Sequence, residues 1–151
     1  DVSVPSPGLF IEIDPGAYLN MGSGYFNVSD RSLEIKGNGR ISYNYSDVNT
    51  ILFNGSGVTP KLTVGEVTII NNSPAASCIT DINYARFYNV VFEGNVNICS
   101  DANVYEGCIW RFLNINIKSG ADNTILDGSV FETVSVSDSG INTVISDTVV
   151  Y

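Results

Sequence analysis

The chain contains no histidine among its 151 residues. That removes Ser-His-Asp and Cys-His nucleophilic catalysis and the usual zinc sites. Basic residues are scarce, seven Lys and Arg against sixteen Asp and Glu, for a formal net charge of −9. Nucleic acids and anionic membranes need a basic stripe to neutralise their phosphates, so neither is expected as a partner. No apolar run approaches the ~18 residues of a membrane-spanning helix, so no membrane span is expected. The three cysteines, Cys78, Cys99 and Cys108, are an odd number, which rules out a full disulfide framework. With no histidine to activate a thiolate, all three read as reduced, buried small hydrophobes. No Asp-x-Asp-x-Asp loop is present, so neither a dedicated calcium site nor any other cofactor is expected.

What is present is self-similarity. Arg86-Phe87-Tyr88-Asn89-Val90-Val91-Phe92 resembles Arg111-Phe112-Leu113-Asn114-Ile115-Asn116-Ile117, at a sequence offset of 25 (111 − 86). A third copy begins at Phe131, offset by 19 from Phe112 (131 − 112). Asn123-Thr124-Ile125-Leu126-Asp127 repeats at that second offset as Asn142-Thr143-Val144-Ile145-Ser146, with Gly120 and Gly140 at the preceding corners. Each copy reads as a short strand with alternating aromatic and β-branched residues, unable to bury its apolar face alone. A period of about 20–25 residues with no helical spacing predicts an all-β, single-stranded right-handed parallel β-helix. Residues 1–151 read as one domain, with capping coils over 1–60 and regular coils over 61–151. The apolar fraction of 44% is enough for a packed interior.

Aligned in this way, Phe87, Phe112 and Phe131 form an internal ladder. The coil between Phe92 and Trp110 then comes out six residues longer than the next, with the surplus in 94–103. Insertions in solenoids map to loops on one face, often the binding face.

The first third carries strand-turn-strand units. Leu9-Phe10-Ile11-Glu12-Ile13-Asp14-Pro15-Gly16-Ala17-Tyr18 is one, and Ser32-Leu33-Glu34-Ile35-Lys36-Gly37-Asn38-Gly39-Arg40-Ile41 is the next. Together they resemble the opening of pectate-lyase-like β-helix domains, which show "aliphatic-x-Ile-Pro-x-Gly-x-Tyr" and then "aliphatic-x-Ile-x-Gly-x-Gly". The similarity is strongest to the version in bacteriophage tailspikes and polysaccharide depolymerases, and with the later rungs it extends over about residues 9–151. It implies a host-surface polysaccharide-binding module of a tailspike or similar virion fibre, with or without depolymerase activity, assembled as a homotrimer. A secreted pectate-lyase-like polysaccharide lyase or glycoside hydrolase fits the same motifs, as does a purely structural spike or adhesin segment.

Without histidine, acid–base chemistry must come from carboxylates. Glycoside hydrolysis needs two, about 5 Å apart for retention or 6.5–9.5 Å for inversion. Neighbouring rungs lie roughly 4.8 Å apart, so corner carboxylates on adjacent rungs meet that demand. Asp101, Glu106 and Asp122 are the catalytic candidates, each with the alternative role of satisfying a corner N–H. Arg86 and Arg111, aligned one coil apart, are candidates to clamp an acidic sugar. Tyr84, Tyr88, Tyr105 and Trp110 are the less regular aromatics, with Tyr105 the candidate for substrate contact. An acidic surface rich in hydroxyls and amides suits neutral carbohydrate. The chain opens at Asp1 without methionine and ends on apolar Val149-Val150-Tyr151, which reads as a processed product or a fragment.

Overall fold

The computed structural model describes residues 1–45, 47, 49–55, 57–111, 114–132 and 135–151. Its strands form three parallel seven-stranded sheets, wound as a β-solenoid of about six turns. Every rung contributes one strand to each sheet in turn. In one regular rung these are Val96–Ile98 in the first sheet, Val104–Glu106 in the second and Ile109–Arg111 in the third. Among the described residues there is no helix.

Strands alternate side chains between the two faces of a sheet, so one apolar residue per short strand suffices to line an interior. Stacking the rungs lines these residues into columns. In the second sheet Ile35, Val64, Phe87, Tyr105 and Leu126 follow one another in register. In the third, Ile41, Ile69, Phe92, Trp110 and Phe131 do the same. All ten are buried. The aromatic members stack: Phe87 on Tyr105 at 4.8 Å between ring centroids, and Phe92 on Trp110 at 4.4 Å. Such pairs contribute roughly 0.5–1.5 kcal/mol each beyond the area they bury.

The corners are as regular as the columns. Between the second and third sheets one residue per rung takes the left-handed conformation: Glu66, Asn89, Gly107, Gly128 and Asp147, at φ 48–61°. Backbone hydrogen bonds continue through these corners, as where Asn89 N–H donates to Glu106 O at 2.9 Å. At Gly37-Asn38-Gly39, the corner expected from sequence, the chain passes directly against the first coil. A Cβ on Gly37 would lie 2.2 Å from Ile13 O, so only glycine fits there.

Three expectations need correction. Phe87 and Phe131 belong to different columns, because Phe131 follows Trp110 in the third sheet while Phe87 faces Val64 and Tyr105 in the second. Phe112 lies outside the described residues. The offset of 25 matched strands of different sheets, which share an apolar alternation because all of them face the same interior. The offset of 19 was the structural one: Leu126 pairs with Ile145.

The expected lip between Phe92 and Trp110 is absent. These two are direct partners with a sequence offset of only 18 (110 − 92), the shortest third-sheet step, and residues 94–103 contain the ordinary strand Val96–Ile98. Nor are all three cysteines reduced, since Cys78, in first-sheet strand Ser77–Thr80, forms a disulfide with Cys99, which directly follows the neighbouring strand Val96–Ile98. Their parity left one cysteine over, and that one, Cys108, is free and buried as expected.

Candidate functional site

The surplus chain length lies earlier than the sequence indicated. Second-sheet partners Leu33 and Leu62 are offset by 29 (62 − 33), and Val64 and Phe87 by 23 (87 − 64). Part of the first excess falls in the corner after strand Ile51–Asn54, which includes Gly55 and 57–60; it faces 81–85, the corner after strand Ser77–Thr80, which is no longer than 99–103 on the next rung. Between them runs a groove of about 650 Å³. Its floor is Lys61, Leu62 and Thr63 at the start of a second-sheet strand, with Arg86 on the next rung.

Carboxylates hold the walls in place. The Asp81 side chain accepts a hydrogen bond from Gly55 N–H at 2.6 Å, tying the two loops together. Asp30, on the preceding coil, accepts from Thr59 N–H at 2.9 Å and also from Val58 N–H. These backbone donors stabilise the ionised form and hold the Asp30 carboxyl below its ordinary value. Asp81 goes the other way, because partial burial raises it more than the Gly55 N–H lowers it. Thr80 Oγ1 completes the scaffold, donating to Phe53 O at 3.0 Å and accepting from Ile82 N–H at 2.9 Å.

Tyr84 stands on the rim. It is 79% exposed and sits at φ 60°. Equivalent corner positions on later rungs are Ala102, Asn123 and Asn142, all with positive φ. That conformation is one asparagine tolerates and a bulky side chain resists. Tyr84 therefore bears the backbone cost of its corner without recovering it through burial.

Of the residues singled out in the sequence, Arg86 lies in this groove. Its guanidinium is 2.8 Å from the Glu106 carboxylate and 5.3 Å from the centroid of the Tyr88 ring. Arg111 is in the third sheet, between Glu93 at 4.0 Å and Glu132 at 2.8 Å. The two arginines therefore do not stack, and no sugar clamp is formed from them. Asp101 and Asp122 occupy successive first-to-second-sheet corners, where Ala102 N–H donates to Asp122 O at 2.8 Å. Both have corner duties: Asp101 accepts from Asn123 Nδ2 at 3.1 Å and Asp122 from Ile141 N–H at 2.9 Å. Glu106 sits at the far end of strand Val104–Glu106 from Asp101, so these two are not brought to one corner. Tyr105, expected at the surface, is wholly buried on Phe87, which removes it from substrate contact. The free thiol of Cys108 is pushed up to about 12 by burial, so it stays protonated and inert.

Sequence reasoning missed Asp81, Lys61 and the role of Asp30. The signal that marks Lys61 and Asp30 is the length of the corner before Lys61, readable only once the register between rungs is known; Asp81 lies in a corner of ordinary length. No family model, curated protein or solved structure matches the chain.

Proposed function

We propose that this chain is a polysaccharide-binding module of a surface-exposed fibre or secreted protein, of the tailspike type its motifs resemble, and that the groove beside Tyr84 is its binding site. The observation that carries this reading is Tyr84 itself. An exposed aromatic is held in a conformation unfavourable to it, at the rim of a groove whose walls are fixed by Asp30 and Asp81. Exposed tyrosine rings stack on the apolar faces of sugars, while Asp81, Asn83, Thr63 and Lys61 supply polar partners for hydroxyls. Preorganised walls lower the ordering cost of binding.

The Cys78–Cys99 disulfide lies half-buried on the outside of the first sheet. Disulfides persist in oxidising surroundings, so it favours a secreted or cell-surface setting over a virion fibre assembled in a reducing cytoplasm. Homotrimeric assembly is part of the tailspike reading; light scattering should then give three times 16.2 kDa.

The test is affinity electrophoresis of the wild type and Tyr84→Ala through gels containing capsular or O-antigen polysaccharides. Retardation of the wild type, reduced about tenfold or more in Tyr84→Ala with the melting temperature unchanged, is the expected result. Equal mobility of both proteins in every polysaccharide would overturn the proposal.

A second, enzymatic reading rests on Asp81, whose raised carboxyl is suited to donating a proton. If it holds, polysaccharide solutions lose viscosity on incubation and Asp81→Asn stops the loss. Asp101→Asn and Glu106→Gln, made in parallel, decide whether the carboxylates chosen from sequence take part.

A further inference from the structure

The charges around the groove nearly cancel, and this bears on what kind of saccharide it accepts. Three charged side chains line it: Lys61, Arg86 and Asp81. Arg86 is already engaged by Glu106 at 2.8 Å, which neutralises it. Asp81 points its carboxylate at the loop junction, bonded to Gly55 N–H. Asp30 adds a further negative charge immediately behind the wall formed by Gly55 and 57–60, bonded to Thr59 N–H. Lys61 is the one lining cation with no ion pair among the described residues, and these two carboxylates offset it. The whole molecule adds a background of −9.

We infer that the groove is specific for neutral, hydroxyl-rich hexose chains and discriminates against uronic-acid chains, with Asp81 as the residue that sets the discrimination. The inference rests on the carbohydrate reading above and narrows it. A ligand carboxylate seated beside Tyr84 would meet Asp81, the negative field of the molecule and a single uncommitted cation. Hydroxyls meet no such opposition, because a carboxylate accepts from them and Lys61 donates to them. Like charges about 7 Å apart weaken binding about threefold in a water-like dielectric, and by up to about fiftyfold at the effective dielectric of about 20 where the groove excludes water.

Titration calorimetry with two matched probe sets, neutral hexose oligosaccharides and hexuronate oligosaccharides, tests this. The neutral set should bind at least tenfold more tightly, with a Kd that stays flat between about 0.05 and 0.5 M NaCl, since no ligand charge is there to be screened. Asp81→Asn keeps an oxygen to accept from Gly55 N–H but loses the charge. It should improve hexuronate binding about three- to tenfold and weaken neutral binding, which loses a charged acceptor, so that the neutral preference falls below about threefold. Tighter hexuronate binding by the wild type, weakening with salt, would overturn the neutral specificity while leaving the carbohydrate reading intact. Binding of neither set would overturn both. Should Asp81→Asn fail to fold, the wild-type preference and its salt dependence decide the question without it.

Discussion

Residues 33–85 and 86–150 are built on the same interior but differ outside it. In the earlier stretch, second-sheet partners are offset by 29 and 23 (62 − 33, 87 − 64); in the later one, Phe87, Tyr105, Leu126 and Ile145 follow at 18, 21 and 19 (105 − 87, 126 − 105, 145 − 126). The inner columns cross this boundary without a break, since Val64 stacks on Phe87 as Phe87 does on Tyr105. Extra residues are tolerated because they leave at corners, where they displace no core side chain, and the entropy of closing a loop rises only slowly with its length.

The later corners are bound rung to rung by Asn142 donating to Asn123 at 3.2 Å and by Asp122 accepting from Ile141 N–H at 2.9 Å, and the first-sheet strands between them by Asn116 donating to Asn97 at 3.1 Å. The earlier ones are held by Asp30 and Asp81 reaching across to loop N–H groups. Ladders need equal coils; a groove needs unequal ones. The difference locates the proposed binding site on the irregular coils and the structural repetition on the regular ones.

The comparison is tested most severely at the shared interior. Trp110→Ala removes a fully buried ring stacked on Phe92 and Phe131, and should cost about 3–5 kcal/mol in a denaturant titration. A loss below about 1 kcal/mol would mean the regular coils are not held by their aromatic columns.

At the junction of the two regions, the Cys78–Cys99 bond closes a loop with a sequence separation of 21. Replacing both residues with serine should lower stability by about 3 kcal/mol. Reductant should produce the same fall in the wild type and none in the double variant. An equal response of both proteins to reductant would show that the bond is not formed.

Tyr84→Asn sharpens the contrast between the two kinds of corner, because it installs in the groove the residue that later rungs use at the same place. Stability should hold or rise by up to about 1 kcal/mol, as asparagine accepts positive φ and little burial is lost, while saccharide binding falls. A clear loss of stability would show that Tyr84 is a structural residue and not a binding one.

The smallest effect is local and depends on pH. The Asp30 carboxyl is held below its ordinary 3.8, chiefly by Thr59 N–H and Val58 N–H. A lowered acid stabilises the fold above its unfolded value and loses that contribution as pH falls through its folded value. Asp30→Asn should therefore speed amide exchange at Val58 and Thr59 at neutral pH. Below the folded value of Asp30 the variant and wild type should exchange alike. Identical exchange at neutral pH would show that Asp30 does not hold the wall.

The sequence by itself determined the solenoid. Short strands with alternating apolar residues, punctuated by glycine, asparagine and aspartate, leave no architecture but stacked coils, and Leu126 over Ile145 was readable from a repeat alone. It also excluded histidine chemistry, because the chain has no histidine.

Register was left to the tertiary structure. Arg86-Phe87 and Arg111-Phe112 look alike because strands in all three sheets satisfy the same inward–outward rule, so similarity does not tell which sheet a strand joins. Only pairing across rungs settled that Phe87 neighbours Tyr105, that Cys78 meets Cys99, and that Tyr105 is core while Tyr84 is exposed. The groove followed from the same pairing. Its two walls come from different coils and are joined by the hydrogen bond from Gly55 N–H to Asp81, at a sequence separation of 26. No local pattern encodes a contact of that kind, because it depends on how many residues each corner uses before the chain returns to its column.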